Sequence, residues 1–220
     1  FFVESLRKGI SVAFSSDGLH WTPSEKNPVM GKYRSDFNNN AFWDERIGKY
    51  VAYVRMWLPW RKVGRSETTD FERWPMPSLC FEYDDKDPEN LNFYNGPCIK
   101  YSYAANAYLM FPSAFYMEGM EPGERERGME GLKGMDGAWP LPGTNHYKLI
   151  ANPIHQAGPL DVQLAVSRDG VNWSRPDRRP FIPLGMDRTW DSKMIYVGVG
   201  ITREGDQLSL YYAGKDTHHG

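Results

Sequence analysis

The sequence predicts an all-β protein whose strands form repeated four-stranded antiparallel sheets, the arrangement of a β-propeller. The first observation is a phrase that occurs three times: residues 15–23 read SSDGLHWTP, residues 167–176 read SRDGVNWSRP, and residues 66–75 give a looser copy, SETTDFERWP. The second is that aromatic and β-branched runs alternate with Gly and Asp turns, with almost no helical periodicity. Radial repetition of such sheets gives a propeller, which leaves only short strand edges.

Each copy of the phrase is predicted to be a β-turn between two strands. Its Asp supplies an acceptor for the turn backbone, and Gly permits a positive φ. The Trp comes a fixed step into the next strand, where we expect its ring to pack between layers. Apolar strands lead into the first and third copies at residues 10–14 and 162–166, and further hairpins are predicted at residues 40–54 and 197–212.

The chain of 220 residues predicts a single β-propeller domain, residues 1–220. Its first two predicted blades are residues 10–34 and residues 36–83. The third begins near residue 108, resumes at residues 146–150 and ends past Trp173, and a fourth begins at Asp191. A polar connector is predicted at residues 84–98. Residues 117–143 are a predicted loop insertion within a blade, either solvated or lying over the active-site face. Because Phe1 reads as mid-strand sequence, we expect a partial propeller. The cellular location stays open, and a signal peptide in a preceding segment would make the protein secreted or periplasmic.

Composition excludes several function classes. A net charge of −2 gives no basic footprint for nucleic acid, and no apolar run is long enough to span a bilayer. Cys80 and Cys98 are too few for a disulfide framework or a zinc site, and they pair only if adjacent strands bring them together. The sequence has no phosphate-binding glycine loop, no dinucleotide fingerprint and no metal-ligand spacing, so we predict neither a cofactor nor a metal. The oligomeric state stays open.

The repeated phrase resembles Ser-x-Asp-Leu-x-x-Trp of glycoside hydrolase families 32, 43 and 68. Residues 37–44, followed by residues 48–50, look like the second-blade strand of the same superfamily. The resemblance implies a five-bladed β-propeller that acts on glycosidic bonds, largely of furanosides such as fructans and arabinans. The family's second-blade Arg-Asp-Pro is replaced here by Phe37, Asn38 and Asn39, and residues 110–112 lack the expected third-blade acid. The chain is therefore either a divergent relative with relocated acids or a propeller that has lost this chemistry.

Two carboxylates are the predicted catalytic residues. Glycoside hydrolysis needs two carboxyl groups, one that donates a proton to the leaving oxygen and one that attacks or activates water. In a propeller these groups belong at the entrances of inner strands, facing the central funnel. Asp36 precedes the predicted inner strand of the second blade, and Asp191 precedes that of the fourth. The alternative for each is an exposed loop residue or a turn cap.

Amide side chains next to Asp36 are predicted to bind substrate. Asn38 and Asn39 stand directly before a predicted inner strand, and each side chain offers both a donor and an acceptor to sugar hydroxyls. The alternative is a turn whose backbone enters the left-handed region, which Asn tolerates.

Four further residues are predicted substrate contacts. Arg55 and Arg65 can each bind a carboxylate with two hydrogen bonds if the substrate is acidic, such as a uronic acid; the alternative is an ion pair within the protein. His146 can act as an acid or base near neutral pH, and the alternative is a packed or solvated histidine. Trp190 belongs to a chain that is 15% aromatic, where exposed rings serve as sugar platforms and others as packing wedges.

We therefore expect a carbohydrate-active protein that hydrolyses a glycosidic bond of an oligo- or polysaccharide in the central funnel. The alternative is a non-catalytic carbohydrate-binding or scaffolding propeller, which the missing Arg-Asp-Pro phrase favours. A protein-interaction propeller of the WD-repeat kind fits less well, because the Gly-His and Trp-Asp signatures are absent.

Overall fold

The computed structural model describes residues 9–31, 35–36, 38–56, 60–124, 126 and 157–219. The elements that lie wholly within these residues are all β-strands, which confirms the all-β prediction. The strands are β1 (Ala13–Phe14), β2 (Thr22–Pro23), β3 (Asn40–Asp44), β4 (Lys49–Met56), β5 (Lys62–Thr68), β6 (Ser78–Phe81), β7 (Leu91–Phe93), β8 (Cys98–Lys100), β9 (Tyr108–Met110), β10 (Ser113–Tyr116), β11 (Leu160–Val162), β12 (Ala165–Ser167), β13 (Trp173–Ser174), β14 (Met194–Val197), β15 (Thr202–Glu204), β16 (Gln207–Ser209) and β17 (Tyr212–Lys215). No helix among the described residues is long and apolar enough to cross a membrane.

Strands β3 to β6 form a four-stranded antiparallel meander in chain order. Successive side chains of a strand point to opposite faces of the sheet. In β4 this places Val51 and Tyr53 in one hydrophobic cluster, and Ala52 and Val54 in another. This sheet is therefore covered on both faces, which is why the apolar residues of β4 run continuously instead of alternating with polar ones.

Strands β7 to β13 form a second meander whose long strands are each broken in the middle. β7 and β8 pair with β10 and β9, these pair with β11 and β12, and β13 follows β12. Pro97 and Pro112 lie in two of the breaks, where they have no backbone N–H to donate to a ladder. The outer halves form the four-stranded sheet β13-β12-β9-β8. The other halves, β7, β10 and β11, belong to a different, five-stranded sheet.

The predicted connector at residues 84–98 is in part a strand, because it contains β7 and the first residue of β8. Leu91 and Phe93 are fully buried in the core. The polar residues around them made the segment look like a connector, so the sequence did not predict this strand. The return strand of this meander is β11, whereas the predicted return at residues 146–150 lies outside the described residues.

The remaining sheet links the second meander to the last strands of the chain. β14 pairs with β11 in parallel and with β17 in antiparallel orientation, so that the strand order is β17-β14-β11-β10-β7. β15 and β16 form a shorter hairpin within the predicted range 197–212; residues 202–204, expected in the turn, belong to β15, and Gly205 takes a φ of 58° in the turn. This five-stranded sheet brings the ends of β7, β10, β14 and β17 near one another.

The repeated phrase forms the predicted turns. In the first copy the Asp17 carboxylate accepts the backbone N–H groups of Leu19 and His20, both at 2.8 Å. In the third copy Asp169 accepts those of Val171 and Asn172, also at 2.8 Å. The looser copy keeps part of the pattern, with Thr68 in the Ser position and Asp70 in the Asp position. In all three copies the Asp carboxylate therefore accepts a hydrogen bond from the backbone N–H two residues further along the chain.

The tryptophans of the phrase do not all pack between layers as predicted. Trp74 is buried, and Trp173 packs edge-to-face on Tyr53, with 5.9 Å between the ring centroids. Trp21 is 61% exposed, so its predicted packing is wrong. Its indole N–H donates to the carbonyl of Gly18 at 3.1 Å, which holds the ring across its own turn.

The two cysteines are free thiols, so the disulfide left open by the sequence does not form. Cys98 is buried in the core, and Cys80 is packed against the same cluster. Burial raises the pKa of the Cys80 thiol to about 12 and raises that of Cys98 as well.

Candidate functional site

Charged and aromatic side chains from widely separated parts of the chain converge at one place. They come from the loops before β3 and β5, from β4, β10 and β14, and from the ends of β7 and β17. This group, called the Arg–Tyr cluster below, consists of Asp36, Arg55, Arg61, Tyr94, Phe115, Tyr196 and His219. The cluster therefore lies where the β3–β6 sheet meets the five-stranded sheet.

The Tyr94 ring lies at the centre of the cluster and contacts two guanidinium groups. The guanidinium carbon of Arg55 is 4.0 Å from the ring centroid, and that of Arg61 is 4.9 Å from it. Arg61 also lies 5.1 Å from the centroid of the Phe115 ring. Both arginines are buried, and cation–π contacts are strongest where the cation is desolvated. Tyr94 thus holds two positive charges in a small buried volume.

Asp36 is the carboxylate of the cluster. Arg55 Nη1 donates to Asp36 Oδ2 at 2.7 Å, while a third of the Asp36 side chain remains exposed. The charge of Asp36 also acts on Arg61 and Tyr196, whose pKa values respond to it. Two of the predicted site residues, Asp36 and Arg55, are therefore brought together at the solvent edge of the cluster.

The predicted amides Asn38 and Asn39 hold the loop that carries Asp36. Asn39 Nδ2 donates to the Asp36 carbonyl at 2.5 Å, and its Oδ1 accepts the Arg55 backbone N–H at 3.0 Å. Asn38 adopts a φ of 68°, and its amide donates to the carbonyl of Val197 in β14 at 3.3 Å. The left-handed turn that the sequence left open is thus present at Asn38, and both amides remain half-buried beside Asp36.

Polar groups from the end of the chain line the other side of the cluster. His219 Nε2 is 3.0 Å from the Tyr94 hydroxyl, and its ring packs against Phe115 with 5.3 Å between centroids. The adjacent His218 forms a 3.1 Å contact with the carboxylate of Glu118, which lies two residues after the end of β10. The Glu118 carboxylate therefore contacts the chain neighbour of His219, a residue of the cluster.

Sequence reasoning missed Arg61, Tyr94 and His219. One available signal for Tyr94 was the similarity of residues 93–97, FYNGP, to residues 37–41, FNNNA, because each stretch stands next to the start of a strand, β8 and β3 respectively. The Asn40 side chain links these two places, since its amide exchanges hydrogen bonds of 2.7 and 3.2 Å with the backbone of Cys98. The contact between His219 and Tyr94 spans 125 residues, and no local pattern predicts it.

Asp191 and Trp190 form a separate group. Asp191 accepts hydrogen bonds from the hydroxyls of Thr189 and Tyr212, both at 2.9 Å, and this contact raises the pKa of Tyr212. The Trp190 ring stacks on Tyr212 at 5.3 Å and 13°, and Trp190 is 59% exposed. Asp191 therefore has one hydrogen bond within its own turn and one to Tyr212, on which the exposed Trp190 stacks, whereas Asp36 belongs to the Arg–Tyr cluster.

Two other predicted contacts are not part of the cluster. Arg65 forms an ion pair with Glu67 and lies 5.9 Å from the Tyr53 ring, which corresponds to the ion-pair alternative. His146 lies outside the described residues.

A buried carboxyl in β11 is a titratable group that the sequence did not assign to the site. Burial raises the pKa of Asp161 to about 7, while a hydrogen bond with Tyr116 opposes this rise. Asp161 pairs with Ala114, so it faces the side of the sheet opposite to Phe115. It is therefore screened from the Arg–Tyr cluster by the sheet itself. Among the described residues, no group of three or more His, Cys, Asp or Glu side chains is placed to hold a metal ion.

An open groove of about 590 Å³ lies at the outer edge of the second meander. β9, β12 and β13 line it, together with the turn at Asp169. Its walls include Tyr108, Leu109 and Trp173, and it is distinct from the Arg–Tyr cluster.

No protein-family model matches this chain, and no curated protein matches it. Among solved structures, a glycoside hydrolase superposes with a TM-score of 0.55 at 11% identity, over 90% of this chain and 50% of that chain. An N-acetylgalactosamine deacetylase from F. plautii, in complex with blood group B trisaccharide, superposes with a TM-score of 0.54 at 14% identity, over 93% of this chain and 51% of that chain. The chain thus spans about half the length of these structures, and at such identities the likeness concerns the fold alone.

Proposed function

We propose that this chain is part of a five-bladed β-propeller that binds an oligo- or polysaccharide at the Arg–Tyr cluster and hydrolyses a glycosidic bond there. The observation that carries the proposal is the convergence of a carboxylate, two guanidiniums and several rings from strands of different sheets. Binding sites for small molecules combine aromatic walls with a few convergent polar groups in this way. A carbohydrate ligand is supported by the two structural neighbours, a glycoside hydrolase and a deacetylase solved with a trisaccharide.

In this proposal Asp36 is the first catalytic carboxylate. The Arg55 hydrogen bond fixes one of its oxygens, while its exposed third is open to a substrate. A positioned carboxylate of this kind attacks the anomeric carbon or activates water. Asp191 is the proposed second carboxyl, and the exposed face of Trp190 is a platform for a sugar ring. Asn38 and Asn39 shape the Asp36 loop and lie next to the sugar hydroxyls.

The test is sugar release by the protein from a panel of furanosides and plant or algal polysaccharides. Asp36→Asn and Asp191→Asn each remove one carboxyl, so each is expected to lower the rate by about 100-fold or more while the circular dichroism spectrum is unchanged. Asp206→Asn, in the exposed β15–β16 turn, is the matched control and should release sugar at the wild-type rate. Wild-type rates in both Asp36→Asn and Asp191→Asn would refute the assignment.

A second candidate function is carbohydrate binding without catalysis. Asp36 and Asp191 belong to separate side-chain groups, and this observation favours it. Catalysis requires two carboxyls about 5–5.5 Å apart for retention, or about 6.5–9.5 Å apart for inversion. Tight saccharide binding with no release, in the wild type and in both variants, would establish this second function.

A further inference from the structure

The loop that carries Trp190 is closed by its own backbone. It spans residues 185–191, and the N–H of Gly185 at its start donates to the carbonyl of Asp191 at its end, at 3.2 Å. A Cβ at Gly185 would lie 2.0 Å from Asp191 Oδ1, so only glycine allows the two ends to approach this closely. Arg188 adopts a φ of 69°, a left-handed conformation that costs free energy outside glycine. The loop is therefore a tight structure that fixes the position of Trp190.

The Trp190 ring lies against β17, the last strand in the order of the five-stranded sheet. It stacks on Tyr212 with 5.3 Å between the ring centroids and 13° between the ring planes. Gly214 lies on the same face of the strand as Tyr212, and a Cβ there would come within 2.6 Å of Trp190 Cζ3. The Tyr212 hydroxyl donates to Asp191 at 2.9 Å, which holds the lower ring in place. This arrangement, called the Trp190 platform below, keeps the indole flat on the strand.

The outward side of the platform is open to solvent. Trp190 is 59% exposed, and its indole N–H donates no hydrogen bond to any of the described residues. Trp21 is similarly exposed, at 61%, but its N–H donates to the carbonyl of Gly18 within its own turn. A single exposed aromatic residue needs no functional explanation. A ring that a loop, a strand and a second ring hold flat is different, because a ligand can stack on it with little further loss of conformational entropy.

A neutral hexopyranose is the ligand that fits this platform. Such a sugar presents several C–H groups on one side of its ring, and these complement the electronegative face of the indole. The free indole N–H can donate to a hydroxyl at the rim of the sugar. A furanose ring is smaller and puckered, so it covers less of the indole. An acidic sugar gains little here, because residues 185–193 carry two acidic and two basic side chains, Asp187, Asp191, Arg188 and Lys193.

We infer that the Trp190 platform is a saccharide-binding site of its own, separate from the Arg–Tyr cluster, which stacks one neutral hexopyranose unit of a polysaccharide chain. This inference rests on the proposed carbohydrate function and adds to it a surface contact with the polysaccharide. Such a contact needs no cavity, because one flat ring supplies the stacking surface and one N–H supplies the direction.

The test is isothermal titration of the protein with oligosaccharides of three kinds. Gluco-, manno- and galacto-oligosaccharides present neutral hexopyranoses, arabinan and fructan oligosaccharides present furanoses, and oligogalacturonate is acidic. Trp190→Ala should weaken the binding of at least one hexopyranose oligosaccharide about tenfold or more, the size of effect that truncation of an aromatic contact residue produces. Trp190→Phe, which keeps a smaller flat ring, should restore part of the affinity. Trp21→Ala is the matched control and should bind as the wild type does.

A second variant separates a positioned ring from an apolar side chain of any orientation. Gly214→Ala keeps the indole, but its Cβ would force the ring away from β17, so this variant should also bind the hexopyranose oligosaccharide less tightly. Circular dichroism checks that each variant is folded. If Gly214→Ala does not fold, the comparison of Trp190→Ala with Trp21→Ala still decides the matter.

Each outcome has one meaning. Hexopyranose binding that is weakened in Trp190→Ala and kept in Trp21→Ala supports the inference. Unchanged affinity in Trp190→Ala or in folded Gly214→Ala, or binding of furanose or acidic oligosaccharides alone, overturns it and leaves the proposed function intact. Self-association that Trp190→Ala abolishes, measured by sedimentation velocity, also overturns it, because the ring would then be a contact between copies. If no saccharide binds, the proposed function fails together with the inference.

Discussion

At the residue scale, the burial of Asp161 predicts that stability depends on pH in the acid to neutral range. Because burial raises its pKa from 3.8 to about 7, the folded protein keeps a proton there that the unfolded chain releases between these values. The unfolded state then binds fewer protons, so the free energy of unfolding falls as the pH rises from about 4 to about 7 and levels off above that. Stability from this group is thus greatest in acid.

Asp161→Asn should remove this dependence, since the amide stays neutral at every pH. We expect the variant to gain on the order of a few kcal/mol of unfolding free energy at pH 8 and little at pH 4. Urea denaturation across this range measures it, with Asp85→Asn, an exposed loop carboxylate, as the control. An unchanged pH slope in Asp161→Asn would contradict the assignment.

The sequence identified part of the candidate site because some of its residues lie beside recognisable strands. Asp36 precedes β3 and Arg55 lies near the end of β4, so the β3–β4 hairpin, whose turn is visible in the sequence, brings the two side chains together. Arg61, Tyr94 and His219 reach the cluster only through packing between sheets, which no short pattern encodes. Arg65 shows that residue type and strand position do not identify a partner. It was a predicted substrate contact in β5, but it pairs with Glu67.

At the scale of elements, the repeated turn was predictable because its hydrogen bonds are local. Asp17 and Asp169 accept the same pair of backbone N–H groups, and these bonds lower the pKa of each carboxyl. What surrounds each turn was not predictable. The third turn is packed, since Tyr53 donates its hydroxyl to the Gly170 carbonyl at 2.7 Å, whereas the first turn is exposed.

This difference gives a matched pair of glycine substitutions. Gly18 and Gly170 have φ values of 76° and 75°, so alanine meets the same backbone strain at both, about 1–2 kcal/mol. A Cβ at Gly18 meets no atom within 4 Å, whereas at Gly170 it lies 2.7 Å from the Tyr53 hydroxyl oxygen. Gly170→Ala should therefore cost about 1–3 kcal/mol more in urea denaturation than Gly18→Ala. Equal losses would mean that the third turn is not packed as described.

At the scale of the whole molecule, the all-β class followed from the sequence but the division of strands between sheets did not. The meander of β7 to β13 is recognisable as a set of apolar runs, yet its strands break and contribute to two sheets. The parallel pairing of β11 with β14 joins residues 34 positions apart, Leu160 and Met194, and depends on packing across the molecule. These connections position the ends of β7, β10 and β14 around the Arg–Tyr cluster.

The measurement that tests the central claim most directly is a crystal structure of the protein with an oligosaccharide that it binds. The account predicts a sugar in contact with Asp36 and Arg55 in the Arg–Tyr cluster, with its ring against the Tyr94 side of the site. A sugar seated instead in the open groove beside Tyr108 and Trp173, with no contact to the cluster, would contradict it.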